Sequence, residues 1–155
     1  MTPDQSTTGT EFHLERYRYI LQQLHAVNEN LYRFLAIYQT LATTLAGAAL
    51  LLFVSYRSWG IDPATARAGV VGLTLLVSVV AGFTVLLILV GVFNWIDYRR
   101  EECELTDQAV RPGFRRPPRV RNFIRWYETY VIAFILASVA VMWGLVAGLV
   151  LPDIR

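Results

Sequence analysis

Lysine is absent from these 155 residues, cysteine occurs once and histidine twice. The lone Cys103 excludes a disulfide framework, and no Cys/His spacing suits a zinc site. Charge is scarce as well, at 17% of residues against about 25% in a soluble domain. No Gly-rich phosphate loop, GxSxG turn or intramembrane carboxylate pair is present, so no catalytic residue, metal or cofactor is expected. His13 and His25 have no convergent partners in the sequence. What the chain does have is apolar mass: 55% apolar residues and a mean hydropathy of +0.42. That excludes global disorder. The remaining class is a small integral membrane protein.

Three uncharged runs carry this reading. They are LAIYQTLATTLAGAALLLFVSY (35–56), VVGLTLLVSVVAGFTVLLILVGVFNWI (70–96) and TYVIAFILASVAVMWGLVAGLVL (129–151), of 22, 27 and 23 residues. About 20 apolar residues cross a hydrocarbon core about 30 Å thick, so each run suffices. In lipid the backbone must satisfy itself, which demands helices. The expected fold class is therefore an all-α membrane protein with three transmembrane helices. No Asp, Glu, Lys, Arg or His lies inside any run, which argues against proton relays, voltage sensing and most secondary transport.

Arginine sets the orientation. Three precede the first run (Arg16, Arg18, Arg33), eight fall in 97–128, two in 57–69, and one ends the chain. An N-in, C-out arrangement puts eleven inside and three outside, as the positive-inside rule prefers. Arg clustered beside membrane segments is a topology signal first, so no nucleic-acid partner is expected. Use of Arg to the exclusion of Lys matches the coding bias of a GC-rich bacterial genome, and a bacterial inner membrane is the expected location. Residues 1–10 lack a basic n-region and an apolar h-region, so they are expected to be a disordered start and not a cleavable signal. The loop 57–69 is external, with a turn at Asp62-Pro63 near which the next helix can begin. Residues 152–155 form an external tail.

From Glu11 the sequence runs without Gly or Pro into the first span, which predicts a cytoplasmic amphipathic helix over 11–34 continuous with it. Tyr17, Ile20, Leu24, Val27, Leu31, Phe34 and Tyr38 recur at 3-4 spacing, a heptad seam. The seam can join copies of the chain, with Asn28 on its flank fixing register, or it can pack on the chain's own segment 97–128. Both readings stay open.

Within the spans, Ala140, Gly144 and Gly148 stand four apart and permit close helix approach. Ser78-xxx-Gly82 and Gly91 add small positions in the second. Gln39, Thr43 and Gly47 share one face of the first span. They are a candidate pore lining or, more simply, an interhelical hydrogen-bonding patch.

Residues 97–107 hold five acids, and Arg100 with Glu104 has the spacing of an ion pair on a helix continuing about three turns past the membrane. Beyond Gln108, Arg111, Arg115, Arg116, Arg119, Arg121 and Arg125 follow without an acid, among Pro112-Gly113 and Pro117-Pro118. This predicts an extended or polyproline-like hinge leading to an interfacial turn with Phe123, Trp126 and Tyr127. Its arginines can set topology, contact anionic lipid headgroups, or pair with the acidic helix.

NENLYRFLAIYQTL ahead of the first span and W-x-x-Y-R after the second, through Asn30, Arg33, Gln39, Thr40, Trp95, Tyr98 and Arg99, resemble small RipA-like bacterial membrane proteins and the two-span SLATT effector modules. The Ser-x-Arg-Arg stretch of the RipA-like group is absent. The resemblance implies homo-oligomers in the inner membrane, with pore formation in the effector group. A non-enzymatic, self-associating scaffold or assembly module is the leading functional expectation. A homo-oligomeric pore is the alternative.

Overall fold

The structure, a computed structural model, describes residues 3–109, 111–116 and 126–154. Every regular element among the described residues is helical. The order is α1 (Pro3–Ser55), α2 (Pro63–Ala109) and α3 (Tyr127–Leu145). A π-helical turn (Val146–Val150) and a last helical turn (Leu151–Asp153) extend α3. Three stretches are long and apolar enough to cross a membrane: Glu11–Ser55, Pro63–Asp107 and Tyr127–Asp153. They coincide with the three apolar runs, the first stretch stopping one residue short of Tyr56.

Both long helices overrun their spans. The 53 residues of α1 amount to about 80 Å at about 1.5 Å per residue, far more than a bilayer core requires. Its start is earlier than expected: α1 begins at Pro3, so residues 3–10 belong to the helix. Proline's fixed φ and missing N–H suit a first helical position, and a single Gly9 costs only about 1 kcal/mol.

A short turn links α1 to α2. Gly60 takes φ +67°, which a side chain disfavours, and the Asp62 carboxylate caps α2 by accepting from the N–H groups of Ala64 (2.9 Å) and Thr65 (3.3 Å). Pro63 at the first position completes the start signal, so α2 opens well ahead of the apolar run.

The chain divides into two compact units: Met1–Tyr32 with Leu89–Arg125, and Arg33–Ile88 with Trp126–Arg155. In the first, α1 and the end of α2 are antiparallel, because partners run from Glu101 back to Gly91 as α1 advances from Arg16 to Val27. Ile20 and Leu31 are buried, and Tyr17, Leu24 and Val27 are half-buried. The α2 side supplies Val92, Ile96, Cys103 and Thr106. The heptad seam in this unit is therefore an intrachain helix contact. Asn28 is exposed, so it fixes no register within the chain.

In the second unit, Tyr56, Ala66, Val70, Val146 and Ile154 form a core, flanked by Leu52, Phe53 and Ile61. Near the end of the chain, Ile154 has no exposure, and Arg67 donates through Nε (3.1 Å) and Nη2 (2.7 Å) to its carbonyl. Trp143 Nε1 donates to Ser78 Oγ at 2.9 Å, tying α3 to α2. Ser78, Thr74 and Thr84 hydroxyls each donate to the carbonyl four residues back, so these polar groups cost little in an apolar setting. α1 packs tightly on α2 in this unit at Gly69, where an added Cβ would lie 2.6 Å from Leu52 Cδ2.

Candidate functional site

Past its apolar run, α2 keeps one face turned inward. Val92, Ile96, Cys103 and Thr106 are buried there, with Arg99 half-buried between them, a 4-3-4-3 spacing that continues beyond the span. Glu102 borders this stripe and has no exposure at all. A carboxylate so placed needs charged partners. Arg99, one turn earlier, donates through Nη1 to Oε2. Arg115 Nη1 lies 3.2 Å from Oε1, and the Tyr17 hydroxyl is 3.5 Å from the same oxygen. Arg115 Nη2 in turn donates to the Tyr17 oxygen at 3.2 Å. Three segments thus meet on one buried carboxylate.

The turn after α2 brings Arg115 into place. Gly113, at φ +75°, donates its N–H to Asp107 Oδ1 at 2.9 Å, and Phe114 N–H reaches the Arg111 carbonyl at 3.3 Å. Residues 111–116 therefore form a hydrogen-bonded turn, and the extended hinge expected from Pro112-Gly113 is not found over this stretch. Arg16 pairs with Glu101 (Nε to Oε1 3.0 Å), and that hydrogen bond, with the carboxylate charge, raises the Arg16 pKa above its ordinary value. Burial, reinforced by the Glu102 charge, pushes the Cys103 thiol up. Cys103 is thus a buried neutral thiol.

The candidate lipid arginines separate. Arg115 belongs to the Glu102 cluster; Arg111 is exposed, its guanidinium 5.9 Å from the Phe114 ring centre, and Arg116 is exposed. Arg119, Arg121 and Arg125 lie outside the described residues, as do Pro117-Pro118 and Phe123. No ion pair joins Arg100 to Glu104 among the described residues: both are exposed, and the pairing on α2 is one position off, between Arg99 and Glu102.

In the second unit a groove of about 980 Å³ runs between α1 and α3, with Val77 of α2 in its lining. Gln39, Thr43 and Gly47 line its α1 side, opposite Tyr130, Phe134 and Ser138. Ala140, Gly144 and Gly148 are exposed on α3, and a Cβ added at either glycine would meet nothing within 4 Å. The same holds at Gly47 and Gly82. Among the described residues these glycines meet no neighbour, whereas Gly69 and Gly91 face α1. Phe34 is half-buried and Tyr38 lines the groove. No group of three or more His, Cys, Asp or Glu among the described residues is arranged to hold a metal.

Comparison with family models, curated proteins and solved structures gives no match.

Proposed function

We propose that this chain is a non-enzymatic, multi-pass protein of the bacterial inner membrane, N-terminus inside and C-terminus outside, that self-associates through its spanning helices as an assembly module. The observation that carries the reading is the outward small-residue face of α3. Ala140, Gly144 and Gly148 are exposed, neither glycine meets a neighbour among the described residues, and small residues at this spacing let helices of two copies approach closely. Tyr17 and Val27 of the heptad seam already meet α2, which favours association through the spans.

A second reading, a homo-oligomeric pore, draws support from Gln39 and Thr43. Their side chains make no hydrogen bond among the described residues, and both are exposed. An axis shared by several copies gives such groups water, as a neighbouring helix gives them a partner. The resemblance to SLATT-type modules supports this reading too.

Single-cysteine cross-linking tests the proposal. Gly148→Cys in a Cys103→Ser background yields disulfide-linked dimers in native membranes, and Leu149→Cys yields fewer. Equal or absent cross-linking at the two sites overturns an interface on the small face. Ion flux through liposomes holding the purified chain separates pore from assembly module.

A further inference from the structure

We propose that Arg99 and Arg115, oriented by the buried Glu102 carboxylate, form a binding site for the phosphate of an anionic lipid headgroup. The inference rests on the reading of the chain as a membrane protein. Its premise is directional. Glu102 has no exposure, while the Arg99 and Arg115 side chains are 31% and 34% exposed. The carboxylate is thus enclosed, while about a third of each arginine side chain stays open to the outside.

Each guanidinium offers five N–H donors in a fixed fork that matches phosphate oxygens. Arg99 donates one N–H to Glu102, and Arg115 donates one to Tyr17 while its Nη1 stands 3.2 Å from Glu102 as an ion pair. The other N–H groups of this pair meet no acceptor among the described residues. Two guanidinium charges against one carboxylate also leave one positive charge at the cluster. Neighbouring groups do not cancel it on contact: Glu101 is engaged by Arg16, Asp107 accepts from Gly113, and Asp97 and Glu104 are exposed. Acids and arginines balance at five each over residues 97–116, so a general positive field is not the attraction. Local orientation is.

The level along α2 selects the ligand. The apolar run ends at Ile96, and the Arg99 guanidinium lies 6.0 Å from the Trp95 ring centre. Tryptophan is enriched where spans meet the headgroup region, and Arg99 follows Trp95 by one turn, just past the last apolar residue of its run, which favours a lipid phosphate as the ligand. A soluble phosphate compound shares the chemistry but gains nothing from that position.

The test uses the full chain reconstituted in vesicles of phosphatidylcholine with one-tenth phosphatidylglycerol, then extracted in mild detergent, with retained phosphatidylglycerol counted per chain. Replacing the whole cluster (Arg99→Gln, Glu102→Gln, Arg115→Gln) leaves no orphaned buried charge and loses retention about tenfold. Arg111→Gln with Arg116→Gln removes more net charge yet keeps retention within about twofold of the unmodified chain. Equal loss in both variants, or none in the cluster variant, overturns the site. Inorganic phosphate is the second probe, by equilibrium dialysis against the lipid-free chain. Saturation at millimolar phosphate overturns the lipid assignment in favour of a soluble ligand; no retention supports it. If the unmodified chain fails to float with vesicles at all, the membrane reading fails and not the site alone.

Discussion

Arg115 reaches back from the turn after α2 to Glu102, 3.2 Å from a carboxylate oxygen that has no exposure to solvent. Replacing Arg115 by Ala leaves Glu102 with Arg99 and a distant Tyr17 hydroxyl, at a cost of about 1–3 kcal/mol for a poorly satisfied buried charge. The turn over 111–116 loses its anchor at the same time. Hydrogen exchange at Phe114 should rise in this variant and stay unchanged in Arg116→Ala, whose side chain is exposed. Equal exchange in the two variants would show that the contact fastens nothing.

The seam predicts a fold effect. Leu31 is 7% exposed and Leu24 is half-buried, so Leu24→Asp with Leu31→Asp removes up to about 1.5–3 kcal/mol of burial per leucine and adds unpaired charge. Amide protection over residues 11–32 should collapse, and that at 97–107 with it, while the chain still inserts. Protection equal to that of the unmodified chain would mean that the two helices do not depend on each other.

Glycine positions sort by what surrounds them. Gly69→Ile drives a branched side chain onto Leu52, and lowers the thermal midpoint of unfolding. Gly144→Ile has open space and leaves that midpoint within the equivalent of about 0.5 kcal/mol. Its effect belongs to association between copies. If Gly144→Ile lowers the midpoint of the isolated chain as far as Gly69→Ile, the outward face has been misassigned.

Cys103 gives a pH signature. Its pKa is raised by burial and then by the Glu102 charge, so the folded chain binds the thiol proton more tightly than the unfolded chain. Stability from this group is complete below the ordinary thiol pKa of about 8.5 and is lost as pH rises through the higher folded value. Alkylation by iodoacetamide at pH 8 should be slow in the folded chain and fast in denaturant. Equal rates in both would mean that the thiol is neither buried nor shifted.

The spans were legible because their signal is simple: an uncharged run of sufficient length has one solution in lipid. Asp62-Pro63 marked the start of α2 for an equally local reason, since a capping carboxylate and a proline act within one turn. The start of α1 at Pro3 was missed, because polar composition over 1–10 outweighed the absence of a helix break. In the sequence Glu102 is one of five acids in 97–107, with nothing to set it apart. Its burial depends on α1 lying beside it, and an intrachain contact between distant segments leaves no local mark. The clue available was the 4-3-4-3 spacing of Val92, Ile96, Arg99, Cys103 and Thr106, which runs on past the last apolar residue. Helix spacing placed Gly144 and Gly148 on one face but could not say which small residues would be used inside the chain. Gly69 and Gly91, in no shared motif, are the ones that meet α1.

Self-association is the central claim, and the mass of the assembly in nanodiscs tests it most directly. With lipid and scaffold subtracted, the unmodified chain should give a discrete multiple of 17.6 kDa, and Gly144→Ile with Gly148→Ile should shift it toward a single copy. A mass of one copy for the unmodified chain, at protein concentrations where nanodiscs can hold several, would contradict the account.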